Sequence, residues 1–194
     1  MLVDLRGHGA SSGERIFFGV REANDLRELL DELTRHAAAP APVAVLGESY
    51  GAALALRWKA TDPRVGRVVA IAPYAMLSNA VLNICAEYAP CLPRIFPRAG
   101  LKQLPRILGV GPAELNPIDV LARDPVAALF IAGAEDDIAP PADVCALFAR
   151  AAPRSTLLTI AGATHETVPY HFDELVQPVL DWLADQRTSK PNDR

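Results

Sequence analysis

The feature that most constrains this chain is a serine between two glycines, in the pentapeptide Gly-Glu-Ser-Tyr-Gly that begins at Gly47. A short apolar run, Val43 to Leu46, precedes it, and a segment rich in helix-forming residues, Ala52 to Ala60, follows it. The chain is therefore expected to change from strand to helix within about one residue, which forces the central residue into a strained backbone conformation. Side chains at Gly47 and Gly51 are expected to collide with neighbouring backbone, which explains glycine at both positions.

Ser49, at the centre of this turn, is expected to stand at the carboxyl edge of a sheet and the N-terminus of a helix. A serine hydroxyl is a poor nucleophile unless a base takes its proton and a third group orients that base. Two later segments supply such groups, each just after an apolar run typical of a buried strand. Residues 128–132 precede Gly-Ala-Glu-Asp-Asp-Ile-Ala-Pro, and residues 156–160 precede a Gly-Ala-Thr-His sequence that ends at His165. Because the carboxyl ends of parallel strands meet at one edge of a sheet, these groups are expected to lie close to Ser49.

With this order of serine, acid and histidine, the chain resembles the α/β-hydrolases. The G-x-x-D-x-x-x-P frame of the first segment resembles the family's acid loop and implies Asp136 as the acid, with Asp137 as the second choice and Glu135 the least favoured. The G-x-x-H frame of the second segment implies His165 as the base. The resemblance also implies that the backbone N–H of Tyr50 donates a hydrogen bond to the oxyanion of the reaction.

The start of the chain, Met-Leu-Val-Asp-Leu-Arg-Gly-His-Gly-Ala-Ser-Ser-Gly, resembles the family's fourth strand and the loop after it. Within the family it is most similar to the prolyl-oligopeptidase and dienelactone-hydrolase branch. The family's earlier strands, and the loop that gives the second oxyanion donor, have no counterpart in the sequence. We therefore expect an N-terminally truncated α/β-hydrolase fold, in which a strand at Leu2 to Leu5 lacks its native neighbour and the oxyanion hole is incomplete.

Each of these motifs also has a simpler interpretation. The pentapeptide is compatible with a tight glycine turn that carries an incidental serine. Asp136 and Asp137 could be solvated turn residues that cap the next helix, and His165 could be an ordinary loop histidine. The remaining histidines, His8, His36 and His171, are interpreted as structural, with His171 kept as a minor candidate for the base because it lies close to His165 in the sequence.

Apolar runs and helical periodicities alternate along the chain and predict a three-layer α/β/α sandwich with a mostly parallel sheet. The predicted strands are Leu2–Leu5, Val43–Leu46, Arg67–Ala72, Ala128–Ala132 and Thr156–Ile160. The predicted helices are about residues 20–38, 52–60 and 142–151, and an amphipathic helix from Phe172 to Leu183. One domain is expected over residues 1–187, followed by a polar tail at 188–194.

The segment from about Tyr74 to Leu121 breaks this alternation, because it contains six prolines between short apolar stretches. At this position, after the strand that follows the serine, the resemblance implies a cap that shapes an apolar acyl pocket and limits water. A connector made of short helices fits the same sequence equally well, so both interpretations stay open.

Composition narrows the possible functions. The net charge is −4 and the basic residues are spread out, which argues against a nucleic-acid partner. The histidines and cysteines lack metal-site spacing, and no phosphate-binding glycine loop occurs, so no metal or cofactor is expected. The apolar runs are too short to span a bilayer. Three cysteines, Cys85, Cys91 and Cys145, are a sparse, odd set that favours a reducing, cytoplasmic compartment.

The sequence therefore predicts a serine hydrolase that cleaves an ester, thioester or amide of a small acyl substrate through an acyl-enzyme. The alternative is a non-catalytic, hydrolase-like module, which the incomplete oxyanion hole favours. Substrate and oligomeric state are left open.

Overall fold

A computed structural model describes residues 1–38 and 41–185 of the chain. The polar tail predicted at 188–194 lies outside the described residues. The four strands are β1 (Val43–Glu48), β2 (Val65–Ile71), β3 (Leu129–Gly133) and β4 (Thr156–Ile160). The seven α-helices are α1 (Glu22–Arg35), α2 (Tyr50–Thr61), α3 (Leu77–Tyr88), α4 (Ile95–Leu108), α5 (Pro117–Arg123), α6 (Pro141–Phe148) and α7 (Phe172–Ala184). Two short 3₁₀ helices, Pro112–Leu115 and Val168–Tyr170, complete the set within these residues.

The strands form one parallel sheet in the order β1-β2-β3-β4. Alternate residues of β2 face opposite layers, since Val68 and Ala70 pack with α1, α2 and α6, whereas Val69 and Ile71 pack with α7. Side chains of successive strand residues point to opposite faces, which is why a strand between two helical layers is apolar throughout. The predicted three-layer α/β/α sandwich is confirmed.

Four of the five predicted strands are present, each within two residues of the predicted start. The prediction of a strand at Leu2–Leu5 is wrong: these residues adopt no regular structure, and Leu2 is fully exposed. A strand needs a neighbour to satisfy its backbone groups. Among the described residues, the edge of β1 opposite β2 pairs with no other strand, so Leu2–Leu5 makes no ladder hydrogen bonds with the sheet.

The start of the chain is instead organised by its charged residues. The Asp4 carboxylate accepts a hydrogen bond from the Ala10 N–H at 2.9 Å, and the Ser11 hydroxyl donates to the Asp4 carbonyl at 2.7 Å. Arg6 forms a two-pronged ion pair with Asp25 on α1. This loop therefore folds back on itself and is fastened to the first helix.

Strand β1 is covered on one face only. Its side chains alternate between half-buried and exposed, and Leu46 is 55% exposed. On the face of the sheet that carries Leu46, the covering helix is α7, which packs over β2, β3 and β4. The apolar run Val43–Leu46 is therefore not buried on both faces, as a strand inside a three-layer sandwich would be.

The proline-rich segment after β2 folds into helices α3 and α4, followed by a 3₁₀ turn and α5. Leu77 and Ala80 of α3 and Leu108 of α4 pack with Phe17, Tyr74 and other residues in a third apolar cluster. Helix α5 belongs to the main core instead, through Leu121.

Within residues 1–38 and 41–185, every helix is too short or too polar to span a lipid bilayer.

Candidate active site

The serine turn has the strained geometry that the sequence predicts. Ser49 has φ 49° and ψ −112°, a region that residues with a side chain rarely adopt, and it lies between the end of β1 and the first residue of α2. Two backbone hydrogen bonds hold it there: the Ser49 N–H donates to Ile71 on β2 at 2.8 Å, and the Ser49 carbonyl accepts from Ala53 at 3.1 Å. The sheet and the helix thus fix this conformation together.

The two glycines of the motif have different roles. A Cβ added at Gly47 would lie 2.2 Å from the Gly51 carbonyl oxygen, a distance that no packed structure accommodates. A Cβ at Gly51 would meet nothing within 4 Å, and Gly51 is part of helix α2. The prediction that both positions require glycine on steric grounds is therefore wrong for Gly51.

Three side chains that are far apart in the sequence form one hydrogen-bonded chain. His165 Nε2 lies 2.9 Å from Ser49 Oγ, and His165 Nδ1 lies 2.8 Å from Asp136 Oδ2. When Nδ1–H donates to the carboxylate, Nε2 is left as the acceptor for the serine hydroxyl. The arrangement couples a hydroxyl, an imidazole and a buried carboxylate in the order needed to activate an oxygen nucleophile.

The loops that carry Asp136 and His165 are joined by backbone contacts. The Ala134 N–H donates to Ile160 and the Glu135 N–H to Ala163, both at 2.9 Å. Gly133 allows this approach, because a Cβ there would lie 2.5 Å from the Ala163 carbonyl oxygen. The glycine of the G-x-x-D frame thus lets the two loops meet.

Among the three acids of the first loop, Asp136 alone contacts His165. Its side chain is fully buried, and its second oxygen accepts hydrogen bonds from the N–H groups of Ile138 at 2.9 Å and Ala139 at 2.7 Å. Glu135 and Asp137 are exposed. A buried carboxylate with several donors is held in one orientation, as a group that orients an imidazole must be.

The environment of His165 favours its charged form. Burial opposes protonation, but the hydrogen bond to Asp136 and its negative charge outweigh burial, so the pKa of His165 is raised above its ordinary value. The charges of Glu166 and Glu48 act in the same direction. An imidazole that is stabilised as a cation accepts a proton from Ser49 more readily.

Tyr50 is the first residue of α2, so its backbone N–H has no acceptor within the helix and lies beside Ser49. The Tyr50 ring packs between the His8 ring, with centroids 6.1 Å apart, and the Phe18 ring, at 6.2 Å. Burial, together with the charge of nearby Glu22, raises the pKa of Tyr50. These ring contacts hold Tyr50 in place, and its backbone N–H is the expected oxyanion donor.

Sequence reasoning missed Glu22, a fully buried acid at the start of α1. Its carboxylate accepts hydrogen bonds from the N–H groups of Phe17 at 2.6 Å and Gly19 at 2.9 Å. These bonds close the loop that places Phe18, with φ 50°, against Tyr50. In the sequence Glu22 is one of two acids in the first turn of a helix, a common arrangement that does not distinguish it.

Helix α3 contacts both loops of the site. The Tyr88 hydroxyl donates to Glu166, the residue after His165, and the Asn83 amide donates to the Ile138 carbonyl at 3.1 Å. Neither contact could be predicted from the sequence, because both join segments more than fifty residues apart.

The remaining histidines lie outside the hydrogen-bonded chain. His8 is hydrogen-bonded to the Arg6 carbonyl and His36 to Glu32, and the minor candidate His171 immediately precedes α7.

Comparison with known proteins places the chain in a family. The sequence profile described as "Serine aminopeptidase, S33" matches residues 1–127, about two thirds of the chain. The chain belongs to this family of α/β-hydrolases. A search of curated proteins found no match.

Solved structures share the fold at low sequence identity. An esterase of Pyrococcus furiosus, Pf2001, aligns with a TM-score of 0.73 and 22% identity over 93% of this chain and 68% of its own. The non-heme bromoperoxidase homologue BpoC of Mycobacterium tuberculosis aligns with a TM-score of 0.65 and 20% identity over 93% of this chain and 79% of its own. An α/β-hydrolase from a deep-sea metagenome, MGS-M2, aligns with a TM-score of 0.66 and 18% identity. The α/β-hydrolase fold expected from the motifs is confirmed.

Proposed function

We propose that this member of the hydrolase family is a serine hydrolase that cleaves an ester bond through an acyl-enzyme. Ser49 Oγ attacks the carbonyl carbon while His165 Nε2 takes its proton. The tetrahedral intermediate collapses when His165 returns that proton to the leaving oxygen, which departs as an alcohol and leaves the acyl group on Ser49. Water, deprotonated by His165, then releases the acid and restores the serine.

Two further groups assist this cycle. Asp136 holds the imidazole in one orientation and stabilises its cation without taking the proton. The Tyr50 N–H donates to the oxyanion as charge develops on the carbonyl oxygen. The branch of the family, the incomplete oxyanion hole and a cap formed by the segment from about Tyr74 to Leu121 are predictions that follow from the same resemblance, and a simple connector remains the alternative to the cap.

The observation that carries the proposal is the hydrogen-bonded chain from Ser49 through His165 to the buried Asp136. The choice of an ester bond is supported by one structural neighbour, which is named an esterase. The family description, serine aminopeptidase, favours instead a peptide bond at an N-terminus. Thioesters and amides react through the same acyl-enzyme, so the bond class is decided by comparing substrates.

The test compares hydrolysis of p-nitrophenyl acetate, p-nitrophenyl butyrate, a butyryl thioester and alanine p-nitroanilide by the wild type and by Ser49→Ala. We expect ester hydrolysis by the wild type and a loss of at least about a thousandfold in kcat for the variant. Faster cleavage of the anilide than of the esters would favour an aminopeptidase. No turnover of any of the four by the folded wild type would favour the non-catalytic alternative.

Cytoplasmic localisation is also a proposal. It rests on the three cysteines, Cys85, Cys91 and Cys145, which are all free thiols. Subcellular fractionation of cells that express the chain tests it, and recovery outside the cytoplasmic membrane would contradict it.

A further inference from the structure

Helix α4 exposes both its apolar and its basic side chains. Ile95 is 70% exposed, Phe96 63% and Ile107 61%, although side chains of this size are usually buried. The only fully buried side chain of this helix is Leu108. Several large apolar side chains exposed along one helix indicate an interaction surface.

The charges of α4 have a single sign. Three cations, Arg98, Lys102 and Arg106, lie four residues apart and therefore form one row along the helix. The helix contains no acidic residue, although the net charge of the chain is −4. No ion pair with a carboxylate of the described residues neutralises any of the three.

The apolar and basic residues occupy neighbouring sides of the helix. Pro97, Leu104 and Leu108 recur at helical spacing on the side that packs against the protein. Phe96 and Ile107 are eleven residues apart, about three turns, so they share one exposed flank. The row of cations lies on the other exposed flank, together with Ile95. Such a basic amphipathic helix is suited to the interface of an anionic bilayer, where its apolar side chains enter the acyl boundary and its cations meet phosphate groups.

We propose that α4 is a docking surface for an anionic lipid membrane. The row of cations complements the phosphate groups of anionic lipids, and a helix with one buried side chain leaves a broad exposed face to meet a flat surface. This surface is linked to the candidate active site by α3, which packs against α4 and contacts the residue next to His165 through Tyr88. Docking therefore brings the candidate site close to a source of membrane-borne acyl compounds. The binding itself does not depend on the proposed reaction.

The experiment measures co-sedimentation of the full chain with vesicles of phosphatidylcholine alone and of phosphatidylcholine mixed with phosphatidylglycerol. We expect binding to the mixed vesicles at about 0.1 M salt and its loss at about 1 M salt, where surface charges are screened. The variant with Arg98→Gln, Lys102→Gln and Arg106→Gln should bind on the order of a hundredfold more weakly. Glutamine forms helices well, so α4 is retained.

A matched control changes three exposed arginines elsewhere to glutamine: Arg27, Arg35 and Arg150. This variant has the same net charge as the α4 variant and should bind like the wild type. A second variant, with Phe96→Ala and Ile107→Ala, should bind about tenfold more weakly or worse, because its apolar flank can no longer enter the bilayer. Ser49→Ala should bind like the wild type whether or not Ser49 is the nucleophile, so docking and the proposed reaction fail separately.

Three results would overturn the proposal. One is equal binding of the α4 glutamine variant and its matched control. Another is failure of the wild type to prefer anionic over neutral vesicles. The third is that the wild type does not bind vesicles but forms a dimer, which Phe96→Ala dissociates. The exposed flank would then be an interface between two copies of the chain.

Discussion

Gly47 and Gly51 belong to one short motif, yet the structure predicts opposite effects when each is changed to alanine. In Gly47→Ala the new methyl group would lie 2.2 Å from the Gly51 carbonyl oxygen and 2.7 Å from the Ala52 nitrogen. Ordinary contacts begin near 3.4 Å, so β1 and the start of α2 must separate by about 1 Å. Over-packing of this kind against backbone costs about 3 kcal/mol.

In Gly51→Ala the methyl group meets nothing, and alanine is the better helix former. Because Gly51 lies in the first turn of α2, where less of the helix propensity is felt, the gain should be about 0.5 kcal/mol. For a chain of this length, Gly47→Ala should lower Tm by about 6–12 °C and Gly51→Ala should raise it by about 1–2 °C. Differential scanning calorimetry measures both values.

Activity should be lost in Gly47→Ala and kept in Gly51→Ala, because separation of β1 from α2 in the first variant moves Ser49 away from His165. Reaction with a fluorophosphonate probe should be lost in Gly47→Ala and retained in Gly51→Ala. Equal destabilisation by the two substitutions, or a stable Gly47→Ala protein, would refute this account of the turn.

The remaining predictions concern the groups around the turn. The logarithm of kcat/KM should rise with pH through the pKa of His165, since the base must be neutral. Glu166→Gln should shift this rise to lower pH, because the substitution removes a negative charge that raises the pKa of His165. Asp136→Asn should lower kcat by about ten-thousandfold, as the imidazole loses its orientation, with little change in KM for p-nitrophenyl butyrate. Glu22→Gln should lower kcat several-fold, where kcat is expressed per active site and the number of sites is counted by titration with a fluorophosphonate. The control Asp62→Asn changes another buried carboxylate and should lower Tm without changing kcat.

Each of these predictions can fail in a specific way. An unchanged pH limb in Glu166→Gln would mean that its charge is screened from His165. Full activity of Asp136→Asn, with Asp137→Asn inactive, would move the acid to the neighbouring position. A Glu22→Gln protein that keeps its kcat per active site would leave Glu22 with a purely structural role.

The loops of the candidate site could be predicted from the sequence because strand ends and turns depend on local backbone chemistry, whereas the choice of Asp136 and His165 within those loops came from the family resemblance. A strand followed by a glycine turn fixes where Ser49 lies, and the ends of β3 and β4 fix the loops of Asp136 and His165. Parallel strands bring these ends to one edge whatever the details of packing.

The errors and omissions depend on neighbours that the sequence does not reveal. Leu2–Leu5 has a strand-like sequence, but pairing requires an adjacent strand, and Gly51 is unconstrained because nothing packs against it. Glu22 is an ordinary first-turn acid in the sequence and becomes important only when the Phe17–Gly19 loop encloses it. The exposed flank of α4 likewise follows from which side of that helix the protein covers.

The account depends most directly on Ser49 as the nucleophile. Mass spectrometry of the protein after reaction with a fluorophosphonate tests this, because the probe forms a covalent bond with an activated serine oxygen. We expect one adduct on the tryptic peptide that contains Ser49, no adduct in Ser49→Ala, and a strongly reduced rate in His165→Ala. An adduct on another residue, or equal labelling of the wild type and Ser49→Ala, would contradict the account.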